Sequence, residues 1–189
     1  RQAIIDALLF GLGTPTETLM PPFYWASSPN VEPVYDVEAA RQMLADAGVG
    51  EFTIPIVTSS NQGVQAAATE AVAGMLSEIG ITLDIQVAGE DLASRLYFDR
   101  VGGGVVGPWS GRPDPIQTFS NVDGLGFVNI AKTAVPEIDA AIDAANAAID
   151  PTARQELVWV VDELSAANKV SGFGLFSPKT IFAYDSDIS

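Results

Sequence analysis

One stretch near the middle of the chain limits the fold more than any other. Residues 52–57 read as a buried strand, and a helical period then opens at Asn61 or Gln62 and lasts to Ile79. Val64, Ala68, Val72, Met75, Leu76 and Ile79 fall on one face of that helix. Gly80 supplies the stop, and residues 81–87 then alternate apolar with polar at period two, as a strand does when one face is packed and the other is wetter. Two strands joined by a helix of this length make a βαβ unit with parallel strands, because the ends of parallel neighbours lie too far apart for a tight turn. The rest of the chain has to be arranged around that unit, and the class is α/β, a mixed sheet flanked by helices.

The remaining segments fit this frame. Residues 1–10 read as an amphipathic helix that stops at Gly11, Leu12 and Gly13, ahead of Pro15. Residues 14–35 carry Pro15, Pro21, Pro22, Pro29 and Pro33 with Phe23, Tyr24 and Trp25, a composition for a long loop rather than a helix. Asp36 caps a helix to Ala47 with Ala39, Ala40, Met43, Leu44 and Ala47 on one face, and Gly48 terminates it. A short helix is expected over 91–97 and a glycine-rich strand over 101–106. Two alanine-rich helices follow over 136–149 and 151–167, each with proline in its first turn, where a missing N–H costs little. Residues 169–184 read as one interrupted strand or a short hairpin broken at Ser177, Pro178 and Lys179. At 189 residues the chain is long enough for one core of its own, and a single domain over 1–189 is the expectation. The first residues show no charged-then-apolar leader and start within a helical pattern, so both ends read as cuts in a longer polypeptide.

Composition removes several functions. The formal charge is -15 with only nine Lys and Arg, the opposite of a surface that tracks phosphates, so nucleic acid is not an expected partner. There is no cysteine, which excludes thiolate chemistry and Cys-based metal sites and fits an oxidising compartment. Histidine is absent too, and with it the commonest general base and transition-metal ligand. No catalytic residue, metal site or cofactor is predicted, and an enzyme is not the expected reading.

Three motifs are decoys. Gly102 to Gly107 satisfies the GxGxxG spacing, but a dinucleotide fingerprint needs a helix N-terminus directly after the glycines, and Pro108, Trp109 and further prolines follow instead. The alternative is a strand kept thin where another backbone or a ligand comes close. Ser110 lies one place off the register of a nucleophile elbow and no histidine exists to activate it. Asp185 and Asp187 lack the other ligands of a calcium loop. The remaining carboxylates are mostly spaced as solvent-facing helix charges.

Four segments, in order, resemble solute-binding protein family 5, the peptide-, glutathione- and nickel-binding components of ABC importers. Arg1-Gln2-Ala3-Ile4-Ile5-Asp6 with Gly11-Leu12-Gly13-Thr14-Pro15 resembles the family's helix and glycine–proline loop. Tyr35-Asp36-Val37-Glu38-Ala39-Ala40 to Leu44-Ala45-Asp46-Ala47-Gly48 resembles its YDPEKAKQLLAEAG stretch. Leu76-Ser77-Glu78-Ile79-Gly80-Ile81 is similar to its turn from helix into strand, and Trp109-Ser110-Gly111-Arg112-Pro113-Asp114-Pro115 to the WSGRPDP of a glutathione-like branch. A fifth, looser match joins Glu137-Ile138-Asp139 to Asp150-Pro151-Thr152-Ala153-Arg154. The resemblance implies a periplasmic-binding-protein-like fold and assigns the chain to the C-terminal lobe of a two-lobed protein whose N-terminal lobe is absent here. It also implies a periplasmic or cell-surface lipoprotein setting, a small peptide-like or carboxylate-bearing solute, and an ABC permease as partner. A stand-alone sensory or interaction domain of the same fold is the alternative, and a small hydrolase a more distant one. A secretory leader with a second lobe would favour import, and a fused kinase or regulator would favour sensing.

In the family the Trp of this segment lines the cleft, which carries over to Trp109, with Ser110 and Gly111 offering a hydroxyl and backbone groups beside it. Trp109 can be read as a core tryptophan or a rim residue, and its proline and glycine neighbours at a strand's end place it at a rim. Arg112 departs from the family's peptide binders, which carry an acidic residue three places after the Trp to pair with a ligand amino group. It can pair with a ligand carboxylate, whose planar geometry a guanidinium matches, or internally with Asp114. Tyr24 and Trp25 are candidates for a second wall of the cleft, and Phe23 is expected to pack beneath the loop.

Overall fold

The structure is a computed structural model that describes residues 1–60, 63–89, 91–92, 99, 103–124, 126–129, 133–169 and 172–182. Its first helix, α1 (Gln2–Leu9), buries Ile4 and Ile5 and ends at Phe10, which takes a left-handed conformation (φ 51°) ahead of Gly11 (φ 78°). The next residues are not all loop: Gly13–Pro15 is strand β1 and pairs antiparallel with β5 (Phe176–Pro178), Gly13 opposite Pro178. This corrects the reading of the last segment as an interrupted strand or local hairpin, because its partner lies at the other end of the chain. Gly174 marks the crossing: a Cβ there would sit 2.2 Å from Thr16 Oγ1 and from the Thr18 carbonyl oxygen, so only glycine fits.

The βαβ unit is present. β2 (Phe52–Ser59) runs parallel to β3 (Ile81–Ala88) in unbroken register from Phe52 with Ile81 to Ser59 with Ala88, and α3 (Gly63–Ser77) makes the crossover. A third parallel strand, β4 (Gly104–Val106), pairs on the other side of β2 over Ile56 to Thr58 and gives the order β3-β2-β4. The parallel and antiparallel pairings of the predicted α/β fold thus fall in two separate small sheets among the described residues. Alternation in β3 is as expected over Ile81 to Gln86, half-buried residues taking turns with exposed ones. β2 is less buried than expected, since only Val57, Thr58 and Ser59 are buried and Phe52 remains 36% exposed. Among the described residues β4 flanks β2 only over residues 56–58.

Asp36 caps α2 (Val37–Asp46), its carboxylate accepting from Ala39 N at 2.9 Å, and Gly48 (φ 66°) and Gly80 (φ 82°) take the left-handed conformation that ends a helix. The predicted apolar face of α2 is only partly covered: Ala40 and Leu44 are half-buried, Ala39, Met43 and Ala47 are exposed, and no residue of the helix is fully buried. Helix α4 (Pro115–Val122), capped by Asp114, packs with α5 (Pro136–Ala147) and α6 (Pro151–Asn168) around Ile116, Phe119, Ile138, Ile142, Val158 and Val161, which form the main core. Of the helix expected over 91–97 only 91–92 are described, and they are helical; Asn61, Gln62, Val101, Gly102, Asp185 and Asp187 lie outside the described residues.

Candidate functional site

β4 ends at Val106, and from Gly107 the chain runs without helix until Asp114. That excludes a helix N-terminus directly behind the glycines, as a dinucleotide fingerprint would require. The thin-strand reading holds instead, since a Cβ on Gly103 would lie 2.7 Å from Ile54 Cγ2 and 3.2 Å from the Pro55 carbonyl oxygen.

The turn is mostly open. Gly107, Pro108, Ser110, Gly111, Arg112 and Pro113 are exposed, and Trp109 is half-buried. The Trp109 indole N–H is buried and has no acceptor among the described residues, an arrangement that costs about 1–3 kcal/mol. Arg112 makes no hydrogen bond or ion pair among the described residues, so the internal pair with Asp114 is not formed. Asp114 is engaged elsewhere. Its Oδ1 accepts from Ile116 N at 3.1 Å as the cap of α4, and its two oxygens accept from Arg154 Nη2 at 3.0 and 2.8 Å. That gives Asp114 two structural duties, with Arg154 rather than Arg112 as partner.

The proline-rich loop meets this turn. Tyr24 Oη donates to the Pro113 carbonyl at 3.4 Å, and the Tyr24 and Trp25 rings are 5.7 Å apart at 55°, a tilted pair. Trp25 is 42% exposed, whereas Tyr24 is half-buried against the main core. Phe23 reverses its expected role, since it is 75% exposed. The turn closed by Tyr24 N on the Pro21 carbonyl, 2.8 Å, puts residue 23 at its outer corner and Tyr24 at its foot.

Sequence reasoning missed the group that holds the loop. Asp162 is fully buried, which corrects the reading of such carboxylates as solvated helix charges. It accepts from Thr18 Oγ1 at 2.6 Å and Ser28 N at 2.9 Å. Next to it Glu163 accepts from Ser28 Oγ at 2.6 Å and Asn30 Nδ2 at 2.8 Å. Buried Glu17 takes Lys169 Nζ at 2.5 Å, Arg1 Nη2 at 2.7 Å and Val34 N at 3.1 Å. A backbone rich in proline and outside any sheet leaves N–H groups to be satisfied by other means, and carboxylates supply the acceptors. The available signal was position: residue 162 follows Val158 by four and so lies on the apolar stripe of α6.

Burial pushes Asp162 up to about 6, with the neighbouring Glu163 charge adding to the rise and the Thr18 and Ser28 bonds opposing it. Asp123, which accepts from Ser165 Oγ at 2.9 Å, is likewise pushed to about 6, first by burial and then by the Asp162 charge. For Glu17, burial is the largest single influence and would raise it, but the Lys169 bond, the Val34 N–H and the Arg1 and Lys169 charges together hold it below the usual value. Between this loop and the end of α6 lies an open groove of about 270 Å³ that includes Glu17, Asn30, Glu163 and Lys169 and none of the turn residues.

Parallel strands with a crossover helix, a short antiparallel pair and a helical core match the fold of periplasmic binding proteins. The chain superposes on the dipeptide binding protein of Pseudoalteromonas sp. SM9913, in complex with Met-Leu, with a TM-score of 0.80 at 19% identity, over 93% of this chain and 37% of that one. The nickel ABC transporter protein of Bacillus halodurans also gives 0.80, at 18% identity over 94% of this chain and 40% of that one. The chain belongs to the bacterial extracellular solute-binding proteins, family 5, whose Middle-region model matches residues 1–125. It is also 30% identical to heme-binding protein A of Haemophilus influenzae over 168 residues, 82% of this chain and 30% of that protein. The chain therefore spans between 30% and 40% of the length of these relatives. Their names are those of binding and transport proteins, not enzymes. Among the described residues no helix is long and apolar enough to cross a membrane.

Proposed function

We propose that this chain is the C-terminal lobe of the solute-capturing protein of an ABC importer, that it works outside the cytoplasmic membrane, and that it binds its solute without transforming it. Its cleft face is the strip from Tyr24 and Trp25 to Trp109, Ser110, Gly111 and Arg112, with Asp114 supporting the turn from behind. The observation that carries this reading is the meeting of two segments 89 residues apart, Tyr24 on Pro113, beside an exposed and unpaired Arg112. Three aromatic side chains, a serine hydroxyl and a guanidinium on one strip suit a small polar solute with an acidic group. An open strip encloses nothing by itself, and closure against an N-terminal lobe would supply the missing wall before delivery to the permease.

Calorimetry with this chain alone and with the complete two-lobed protein tests the reading. The chain alone is expected to show no submicromolar binding of peptides or related acids, and the complete protein to bind. Arg112→Ala in the complete protein should weaken solutes with a free carboxylate by about 10- to 100-fold relative to their amides. Submicromolar binding by the chain alone, or equal losses for acids and amides, would remove the half-site and the carboxylate role respectively.

A further inference from the structure

One face of α6 is committed to the proline-rich loop over three successive turns. Gln155 Nε2 and Trp159 Nε1 both donate to the Trp25 carbonyl, at 3.1 and 3.0 Å. Asp162 then receives Thr18 and Ser28, and Glu163 receives Ser28 and Asn30. Positions 155, 159, 162 and 163 are spaced four, three and one apart, which is a single stripe on a helix. The loop segment touched by that stripe, from Thr18 to Asn30, is the segment that carries Tyr24 and Trp25.

We propose that this stripe is a latch, with Asp162 as its central positioning residue, which fixes Trp25 by clamping the loop on both sides of it. Thr18 lies before the aromatic pair and Ser28 after it, so one buried carboxylate ties the two ends of an intervening arc. The clamp is polar at its centre, where a dry apolar contact would be indifferent to register. A carboxylate with two defined donors admits one position of the arc, because any slip leaves a buried charge or a buried N–H without a partner. Trp25 itself is held through its carbonyl, which leaves the exposed indole available for contact. The latch belongs to this chain alone; its consequence for solute rests on the proposed function above.

Fluorine NMR of the chain labelled with 5-fluorotryptophan reads the latch directly, since Trp25, Trp109 and Trp159 are its three tryptophans. Asp162→Asn should move the Trp25 and Trp159 resonances and leave Trp109 in place, while the Ser28 amide exchanges at least about tenfold faster relative to the Val158 amide. Thr18→Val should reproduce the Trp25 displacement and Thr18→Ser should keep the wild-type signal; this pair carries the test if Asp162→Asn does not fold. Unmoved resonances, a common shift of all three, or equal loss of protection at Ser28 and Val158 would overturn the latch. In the complete protein the same Thr18→Val change should raise the solute Kd by about tenfold. A displaced Trp25 with unchanged Kd would leave the latch standing and remove Trp25 from the proposed cleft.

Discussion

The molecule has two halves that bury their residues very differently. Around α4, α5 and α6 a contiguous core gathers Met20, Ala26, Ile116, Phe119, Ile138, Ile142, Ala145, Val158 and Val161. In the sheet half the buried apolar cluster is Val57 with Ala88, while Val87 is 51% and Met43 72% exposed. Regular backbone is therefore not a measure of a packed interior. The sheet half has its full parallel register along β2 and β3, yet little apolar area is withdrawn from water there, and area withdrawn is what stabilises. Helix α1 packs on β1 and on α3.

The largest expected effect is in the helical core. Phe119 is 1% exposed among α4, α5 and α6, and Phe119→Ala should cost about 3–5 kcal/mol in chemical denaturation, the loss of a large ring plus an unfilled cavity. Val57→Ala removes the larger member of the sheet cluster and should cost about 2 kcal/mol, on the scale of two buried methylene equivalents. Equal losses at the two sites would break the comparison, because they would mean that the sheet half relies on packing as heavily as the helical half.

Next in size is a pH effect confined to the helical half. Asp123 and Asp162 have folded values near 6, above the ordinary aspartate value, so the folded state holds more protons than the unfolded one between about pH 4 and 6. Stability then falls as pH rises through that window, by up to roughly 3 kcal/mol per group, because a tenfold change in proton affinity is worth about 1.4 kcal/mol. Glu17 and Glu163 are shifted downward, so their contribution is present above the ordinary glutamate value and is lost only as pH falls further. Melting followed from pH 7.5 to 5 should show a rising Tm, and Asp123→Asn should flatten that rise. A Tm that falls steadily over the same range would mean that both carboxylates ionise at ordinary values.

What was legible in the sequence tracks the same divide. The βαβ unit could be read because alternation in β3 and the glycine stops at Gly48 and Gly80 are local signals, and each has the backbone its residue type demands. Asp36 could be read as a helix start for the same reason, accepting from the backbone N–H three residues on, and Asp150 has the same bond ahead of α6. The pairing of β1 with β5 could not, since it joins the two ends of the chain and neither three-residue strand carries a pattern of its own. Nor could the partner of Asp114, 40 residues away on α6, or the burial of Asp162, where charge suggested solvent and only its place on the helical stripe pointed inward. At the candidate site the sequence picked out the open turn and the aromatic pair, but assigned Phe23 inward, because the Pro21–Tyr24 turn that throws it out is set by one backbone bond rather than by composition.

The smallest expected effect is also the sharpest test of the sheet half. α2 has the signals of a well-formed helix, an N-cap bond at Asp36 and a left-handed Gly48, and its apolar positions repeat at helical spacing. By pattern alone Met43 belongs to a core. In the structure it is 72% exposed, whereas Val37, Ala40 and Leu44 are half-buried and Arg41 Nη2 donates to the Glu78 carbonyl at 3.1 Å. A side chain that is already in water has little transfer free energy to lose, so Met43→Ser should change the stability of this chain by no more than about 0.5 kcal/mol. Arg41→Ala should be similarly mild, since its ion pair with Glu38 is exposed and screened. A loss above about 1.5 kcal/mol at Met43 would show that the helix is seated on apolar surface in solution, and the contrast between the two halves would then shrink to the ends of β2.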